Sequence, residues 1–395
     1  MKKFLCCLLL IALVACAALS SVSASDSGED ANISELPTID ASALDIKAES
    51  ALLMEASTGT VLYAKNENKK APPASVTKIM TLLLVCEALE SEAVSLDTVT
   101  TVSSNAASMG GSQVFLEEGE RMTVEELLKC TVIASANDAA VALAELVSGS
   151  EDAFVARMNE RARELGLENT SFENTTGLDD TTVNHYTSAY DIAKMSRELI
   201  KHEIILKYSS LWQDTIRDGE FTLTNTNRLV RYYEGCNGLK TGSTDKAGYC
   251  ISATAKRGNM QLIAVVMGAE TRDLRNAAAR AMLDAGFSGY SLCEFPSEYL
   301  EEVPVIGGRV STAPIYSGGF SVLVESTKKG KIEEKFSIPE ALTAPLAKGA
   351  KVGKITYILD GEVIGECDIT VDRDVPSIKY SELIICILKR VISGK

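Results

Sequence analysis

The double proline at Pro72-Pro73, and the apolar run behind it, most constrain what this chain can fold into. Proline lacks a backbone donor and pushes its predecessor out of the helical region, so the chain breaks there. From Ser75 the segment Val-Thr-Lys-Ile-Met-Thr-Leu-Leu-Leu-Val-Cys-Glu-Ala-Leu then reads as a helix. Its apolar residues fall on almost every side, which predicts a helix buried inside a sizeable domain. With 395 residues the chain is long enough for such a core and for a second domain.

The flanking patterns fill in the rest. Two short apolar runs, 51–55 and 61–64, flank Ser57-Thr58-Gly59 as a hairpin. Helices are predicted over 123–133, 138–147, 152–165 and 189–201, the last capped by Ser188. Strand character returns at 221–226, and runs 249–255 and 262–267 are joined by a Lys256-Arg-Gly-Asn turn. An alanine-rich helix follows over 272–285. Strands, then helices, then strands and a last helix predict an α+β domain: one antiparallel sheet covered by helices from a separate region.

Beyond Pro296, short alternating segments (320–324, 331–336, 354–359, 362–371) between Gly and Pro turns predict a small all-β domain. The tail from Ile378 is apolar, helix-compatible and carries Lys379, Lys389, Arg390 and Lys395. It is too short to span a bilayer and suits an amphipathic helix at a membrane surface; docking on the β domain or a partner is the alternative.

At the other end, Lys2 and Lys3 precede an apolar run over 4–19 and then Ser-Ser-Val-Ser-Ala-Ser-Asp. This pattern predicts export, with cleavage near Ala24. Leu13-Val14-Ala15-Cys16 also has the form of a lipobox, which would instead make Cys16 a lipidated terminus. The expected division is therefore 1–24 signal peptide, 25–43 polar linker, 44–290 α+β domain, 298–375 all-β domain and 377–395 membrane-associating tail. A net charge of -15, with no basic block interleaved with aromatics, excludes nucleic acid as a partner. Outside the signal region Cys86, Cys130, Cys236, Cys250, Cys293, Cys367 and Cys386 are odd in number and form no C-x-x-C pair. With only His185 and His202 beside them, neither a metal site nor a disulfide framework is indicated, and no cofactor is implied.

Three motifs carry the chemistry. Ser75-Val76-Thr77-Lys78 opens the predicted buried helix. A serine hydroxyl needs an adjacent base, and residues three apart share a helix face, so Lys78 can reach Ser75. A lysine serves as that base only when burial or nearby cations lower its pKa. Ser135-Ala136-Asn137 lies between two predicted helices, where Ser135 can relay a proton and Asn137 can bond a carbonyl or hold the lysine. Lys240-Thr241-Gly242, followed by Ser243, leads into the strand pair; it offers a charge, a hydroxyl and a backbone that a substrate can approach. Each of the first two has a decoy, Ser326-Thr-Lys-Lys329 and Ser103-Ser-Asn105, so the weight rests on the ordered set.

S-x-x-K, S-x-N and K-T-G in that order resemble the set of serine penicillin-binding proteins and β-lactamases. The wider stretches Pro73–Thr81, Asn174-Thr-Thr-Gly-Leu178, Gly238-Leu-Lys-Thr-Gly-Ser-Thr244 and Ala247-Gly-Tyr closely resemble the low-molecular-weight penicillin-binding proteins that are D-Ala-D-Ala carboxypeptidases. The resemblance covers about 44–287. It implies a penicillin-binding, β-lactamase-like catalytic fold acting on peptidoglycan stem peptides that end in D-Ala-D-Ala, and trapped by β-lactam antibiotics. It further implies Ser75 as acylated nucleophile and Lys78 as proton acceptor, with Ser135 and Asn137 serving the leaving D-alanine. Lys240 and Thr241 would meet the substrate carboxylate, or Lys240 would tune the field at the serine. Gly242 would give the substrate access to the strand, and the N–H groups of Ser75 and Ser243 would form the oxyanion hole. Arg275 falls near a family arginine. Ala136 departs mildly from the glycine common in the second motif.

Three alternatives stand beside this. A β-lactamase would need a deacylating glutamate motif, and Glu173-Asn174-Thr-Thr-Gly is a poor match. A Ser-His-Asp hydrolase would use His185, but no Gly-x-Ser-x-Gly elbow is present, so His185 is expected to order its loop. A catalytically silent wall-binding scaffold is opposed by the intact Ser75, Lys78 and Lys240 set.

Overall fold

In the computed structural model, residues 38–40 and 43–393 are described. The expected signal segment, with Cys16 and Ala24, lies outside them. Five strands form the central sheet: β1 (Ser50–Glu55), β2 (Val61–Lys65), β3 (Cys236–Thr244), β4 (Gly248–Arg257) and β5 (Met260–Ala269). Their order is β2-β1-β5-β4-β3, with every neighbour antiparallel.

Side chains alternate across these strands. Leu52, Met54, Ile263, Val265 and Met267 enter one core, while Leu53, Leu262, Ala264 and Val266 enter another. Both faces are covered, so the strands read as unbroken apolar runs rather than as half-polar ones. The first face carries the helical layer: α1 (Lys78–Glu90), α2 (Asn137–Ser148), α3 (Glu151–Glu164) and α4 (Ala189–Leu199). The second carries α5 (Arg272–Gly289), packed through Ala279, Met282 and Leu283. Helix α1 packs against α2, α3 and α4, and Ile79, Met80, Leu82, Leu83 and Val85 are all buried. Full burial of each such side chain contributes about 1.5–3 kcal/mol.

Ser188 caps α4 as expected, accepting from the Asp191 N–H. The predicted strand at 221–226 does not join the main sheet. Phe221–Thr224 pairs with Gln213–Ile216, forming a separate two-stranded ribbon.

After α5 come β6 (Tyr290–Phe295), β7 (Tyr299–Ile306), β8 (Thr312–Ser317), β9 (Phe320–Glu325), β10 (Glu333–Ser337), β11 (Leu342–Thr343), β12 (Lys351–Leu359) and β13 (Glu362–Val371). β6 pairs with β9, and the others form a sheet ordered β10-β12-β13-β8-β7-β11. Tyr357 lies 4.4 Å from the rings of both Phe295 and Phe320. Strands β7 and β8 escaped sequence reading because Pro304 and Pro314 interrupt them. The chain ends in α6 (Tyr380–Ser393), with Ile384, Ile385, Ile387, Leu388, Val391 and Ile392 exposed. Among the described residues no helix is long and apolar enough to cross a membrane.

Candidate active site

Ser75 does not sit in the α-helix itself. Ala74–Thr77 is a 3-10 turn, and the α-helix begins at Lys78. At three residues per turn, positions i and i+3 lie directly over one another. Lys78 Nζ accordingly stands 3.0 Å from Ser75 Oγ. Its other neighbours are both carbonyl oxygens: Asn137 Oδ1 at 2.5 Å and Thr176 O at 2.9 Å. Lys78 is fully buried. That burial, reinforced by the charge of Lys240, holds its pKa well below the usual lysine range, with Asp138 opposing.

Asn137 is set by a three-way anchorage. Its Nδ2 donates to Gly110 O at 2.6 Å and its backbone N–H to Ser112 O at 2.7 Å. The adjacent Asp138 carboxylate accepts from the Val114 and Leu116 N–H groups, tying the 110–116 loop to the head of α2. Ser135 precedes this head at φ 64°, after a π turn over Cys130–Ala134. That left-handed conformation costs a non-glycine residue about 1–2 kcal/mol. It turns the chain so that Ser135 lines the same cleft as Ser75.

The third motif lies on β3, an edge of the sheet. A Cβ on Gly242 would stand 2.7 Å from the Ser75 backbone nitrogen, so only glycine lets this strand run beside Ser75. Thr241, Gly242 and Ser243 line a cleft of about 430 Å³ with Ser75 and Ser135. Thr241 Oγ1 donates to Thr226 Oγ1 at 2.8 Å. Lys240 instead points inward, fully buried, with Nζ 3.1 Å from Thr241 O. Burial, then the charge of Arg275, lowers its pKa to about 7. At one end the cleft is cationic, lined by Arg228, Arg272 and the buried Arg275.

Three contributions had no clear sequence signal. The Thr176 carbonyl is a backbone group, visible only once Asn174 folds its loop by accepting from the Gly177 N–H at 2.7 Å. Trp212 and Thr226 line the cleft from the ribbon region, far from any motif. Arg228 and Arg272 look like ordinary surface cations in the sequence.

His185 orders its loop, and a Ser-His-Asp triad is not formed. Its Nδ1 accepts from the Glu173 N–H at 3.0 Å, so Nε2 carries the proton and donates to Thr77 Oγ1 at 2.8 Å. Burial lowers its pKa to about 4. The unfolded chain therefore binds more protons here between about pH 6.5 and 4, and the stability of the folded state falls as pH drops through that window. The expected loss is about 3 kcal/mol. Urea unfolding of wild type and His185→Gln across that window checks it: the variant should show a shallower pH slope, and an unchanged slope would contradict this role.

The decoys lie elsewhere. Ser103 caps a short helix by accepting from the Ala106 N–H, and Ser326–Lys328 is a polar 3-10 turn after β9. The described cysteines, Cys86, Cys130, Cys236, Cys250, Cys293 and Cys367, are all unpaired, and all but Cys293 are buried.

The geometry has counterparts. A family model of D-alanyl-D-alanine carboxypeptidases matches residues 37–271. The chain belongs to the D-alanyl-D-alanine carboxypeptidase family. Residues 296–377 match the model of the penicillin-binding protein 5 C-terminal domain. D-alanyl-D-alanine carboxypeptidase DacF of Bacillus subtilis is 45% identical over 356 residues, covering 88% of this chain and 89% of its own. DacA of Escherichia coli K12 is 33% identical over 87% of each chain. Among solved structures, penicillin-binding protein 5 of Haemophilus influenzae superposes with a TM-score of 0.74 at 31% identity, covering 85% of this chain and 99% of that one. Penicillin-binding protein D2 of Listeria monocytogenes, in an ampicillin-bound form, superposes at 0.57 and 31% identity, covering 62% of this chain and 99% of that one. The carboxypeptidase family thus accounts for the α+β region and for the β strands behind it.

Proposed function

We propose that this chain is a serine carboxypeptidase that removes the terminal D-alanine from peptidoglycan stem peptides ending in D-Ala-D-Ala. The observation that carries the reading is the setting of Lys78: a fully buried amine 3.0 Å from Ser75 Oγ, facing two carbonyl oxygens. A neutral amine has two N–H donors and one lone pair. With Asn137 Oδ1 and Thr176 O accepting the donors, the lone pair is left for the Ser75 hydroxyl proton.

Ser75 Oγ then attacks the carbonyl of the penultimate D-alanine while Lys78 takes its proton. The N–H groups of Ser75 and Ser243 hold the oxyanion. Ser135 passes the proton to the leaving nitrogen, the C–N bond breaks, and D-alanine departs. Water hydrolyses the acyl ester and restores Ser75. Thr241 and Arg275 receive the terminal carboxylate, and Gly242 keeps the strand open to the peptide. Of the two roles open to Lys240, its burial supports the second: its charge depresses the pKa of Lys78. A β-lactam acylates Ser75 by the same attack.

The reading extends to the whole chain. Residues 44–290 form the catalytic domain, 298–375 the all-β domain and 377–395 a membrane-associating tail; the exposed isoleucines and leucines of α6 support the last. A signal segment delivers the enzyme to the outer face of the cytoplasmic membrane. Incubation with a Lys-D-Ala-D-Ala peptide should release D-alanine from wild type and none from Ser75→Ala. Absence of release by wild type would overturn the proposal, and rapid repeated nitrocefin turnover would assign a β-lactamase instead.

A further inference from the structure

The cleft does not end at its cationic wall. Arg228 also lines a second cavity of about 360 Å³, with Tyr232, Asp273, Asn276 and Arg280. The two spaces share Arg228; with the substrate carboxylate at Thr241 and Arg275, as proposed above, the second adjoins the side that receives the leaving residue. The wall between the two is rigid. Asn225 Nδ2 bonds Ser209 O and Leu211 O, and Asn227 Nδ2 bonds Gly238 O at 2.7 Å. Asn227 Oδ1 in turn accepts from the Leu229 N–H, fixing the backbone on both sides of Arg228.

The charges here exceed what one carboxylate requires. Among the described residues neither Arg228, Arg272 nor Arg280 has an ion-pair partner; Arg280 donates to Tyr232 O at 3.3 Å and its guanidinium lies 5.8 Å from the centre of the Tyr233 ring. Within the second cavity two guanidiniums face one carboxylate, Asp273, leaving a net positive lining. D-alanine has one carboxylate and a methyl side chain, and neither fills such a space.

We infer that the Arg228–Arg280 cavity is a leaving-residue subsite for an anionic side chain, so that the enzyme also cleaves peptides ending in D-Ala followed by an acidic D-amino acid. This rests on the carboxypeptidase reading above. The chemistry is unchanged: Ser75 attacks the D-alanine carbonyl, the C–N bond breaks, and the acidic residue leaves with the relayed proton on its nitrogen. Water then hydrolyses the ester. The cavity changes which leaving residue is held.

The test is release of the last residue from acylated peptides ending in D-Ala-D-Ala, D-Ala-D-Glu, D-Ala-D-Gln and D-Ala-D-Lys. D-Gln is the neutral isostere of D-Glu. In wild type, kcat/KM for D-Glu should exceed that for D-Gln by about fivefold, the scale of an exposed charge pair, with D-Lys lowest. Arg280→Gln should bring the D-Glu to D-Gln ratio to about one and leave D-Ala-D-Ala turnover unchanged. Arg280→Lys should keep part of the preference, and Asp273→Asn should raise it. A wild-type ratio near one, or a preference that survives Arg280→Gln, would overturn the inference. Loss of D-Ala-D-Ala turnover in wild type would instead overturn the carboxypeptidase reading.

Discussion

Lys78→Arg should be nearly as inert as Ser75→Ala. Arginine keeps the positive charge but does not give up its proton in the physiological range, so it cannot accept one from Ser75. Nor does a guanidinium fork fit a site where one nitrogen meets Ser75 Oγ, Asn137 Oδ1 and Thr176 O. The acylation rate should fall by about 10³-fold, the usual weight of a general base. Single-turnover labelling with a fluorescent penicillin measures this directly. A variant that acylates at the wild-type rate would show that charge at position 78, rather than proton acceptance, is what Ser75 needs. Wild type should also lose acylation on acidification, because protonation of Lys78 removes the lone pair.

Gly177→Ala should be the most damaging small substitution near the site. Gly177 has φ +82°, and a Cβ there would lie 1.8 Å from Ala74 O and 2.7 Å from Thr77 Oγ1. The closest colliding atoms are the backbone C and O of Ala74, next to Ser75, so relief must move either Ser75 or the Thr176 carbonyl that holds Lys78. A loss of about 3 kcal/mol in stability is expected, with acylation reduced even where the protein remains folded. Gly149→Ala is the matching control. Its φ is +81° at the end of α2, but nothing lies within 4 Å of the added methyl. That variant should lose only about 1 kcal/mol, the cost of the left-handed conformation. Thermal unfolding of both, beside penicillin labelling, separates the two effects; equal losses would refute the clash at Ala74.

Much of this arrangement was legible in the sequence because the chemistry demands particular side chains. Ser75, Lys78, Asn137 and Gly242 each come from a motif, and the apolar runs 249–255 and 262–267 read as strands since both sheet faces are covered. Helix α1 was readable for the same reason. The 3-10 turn at Ser75 was not, because three- and four-residue spacings differ little over a single turn. Thr176 acts through its carbonyl, which every residue possesses, so its identity carries no trace of the contact. Arg228 and Arg280 meet only through the fold, and β7 and β8 carry prolines that argue locally against strands.

The strand order has a consequence for how the enzyme comes into being. β1 pairs with β5, Ser50 opposite Met267, so the sheet unites opposite ends of the catalytic sequence. Ser75 and Lys78 follow its first hairpin, whereas Gly242 arrives on β3, just before the closing strands. A chain emerging from its amino end therefore carries Ser75 and Lys78 long before it carries the wall beside them. Closure of that long loop should govern how slowly the domain folds. Reactivity would appear in one step, when the last strands dock, so an incompletely folded chain would present β-lactams with an ordinary, unactivated serine.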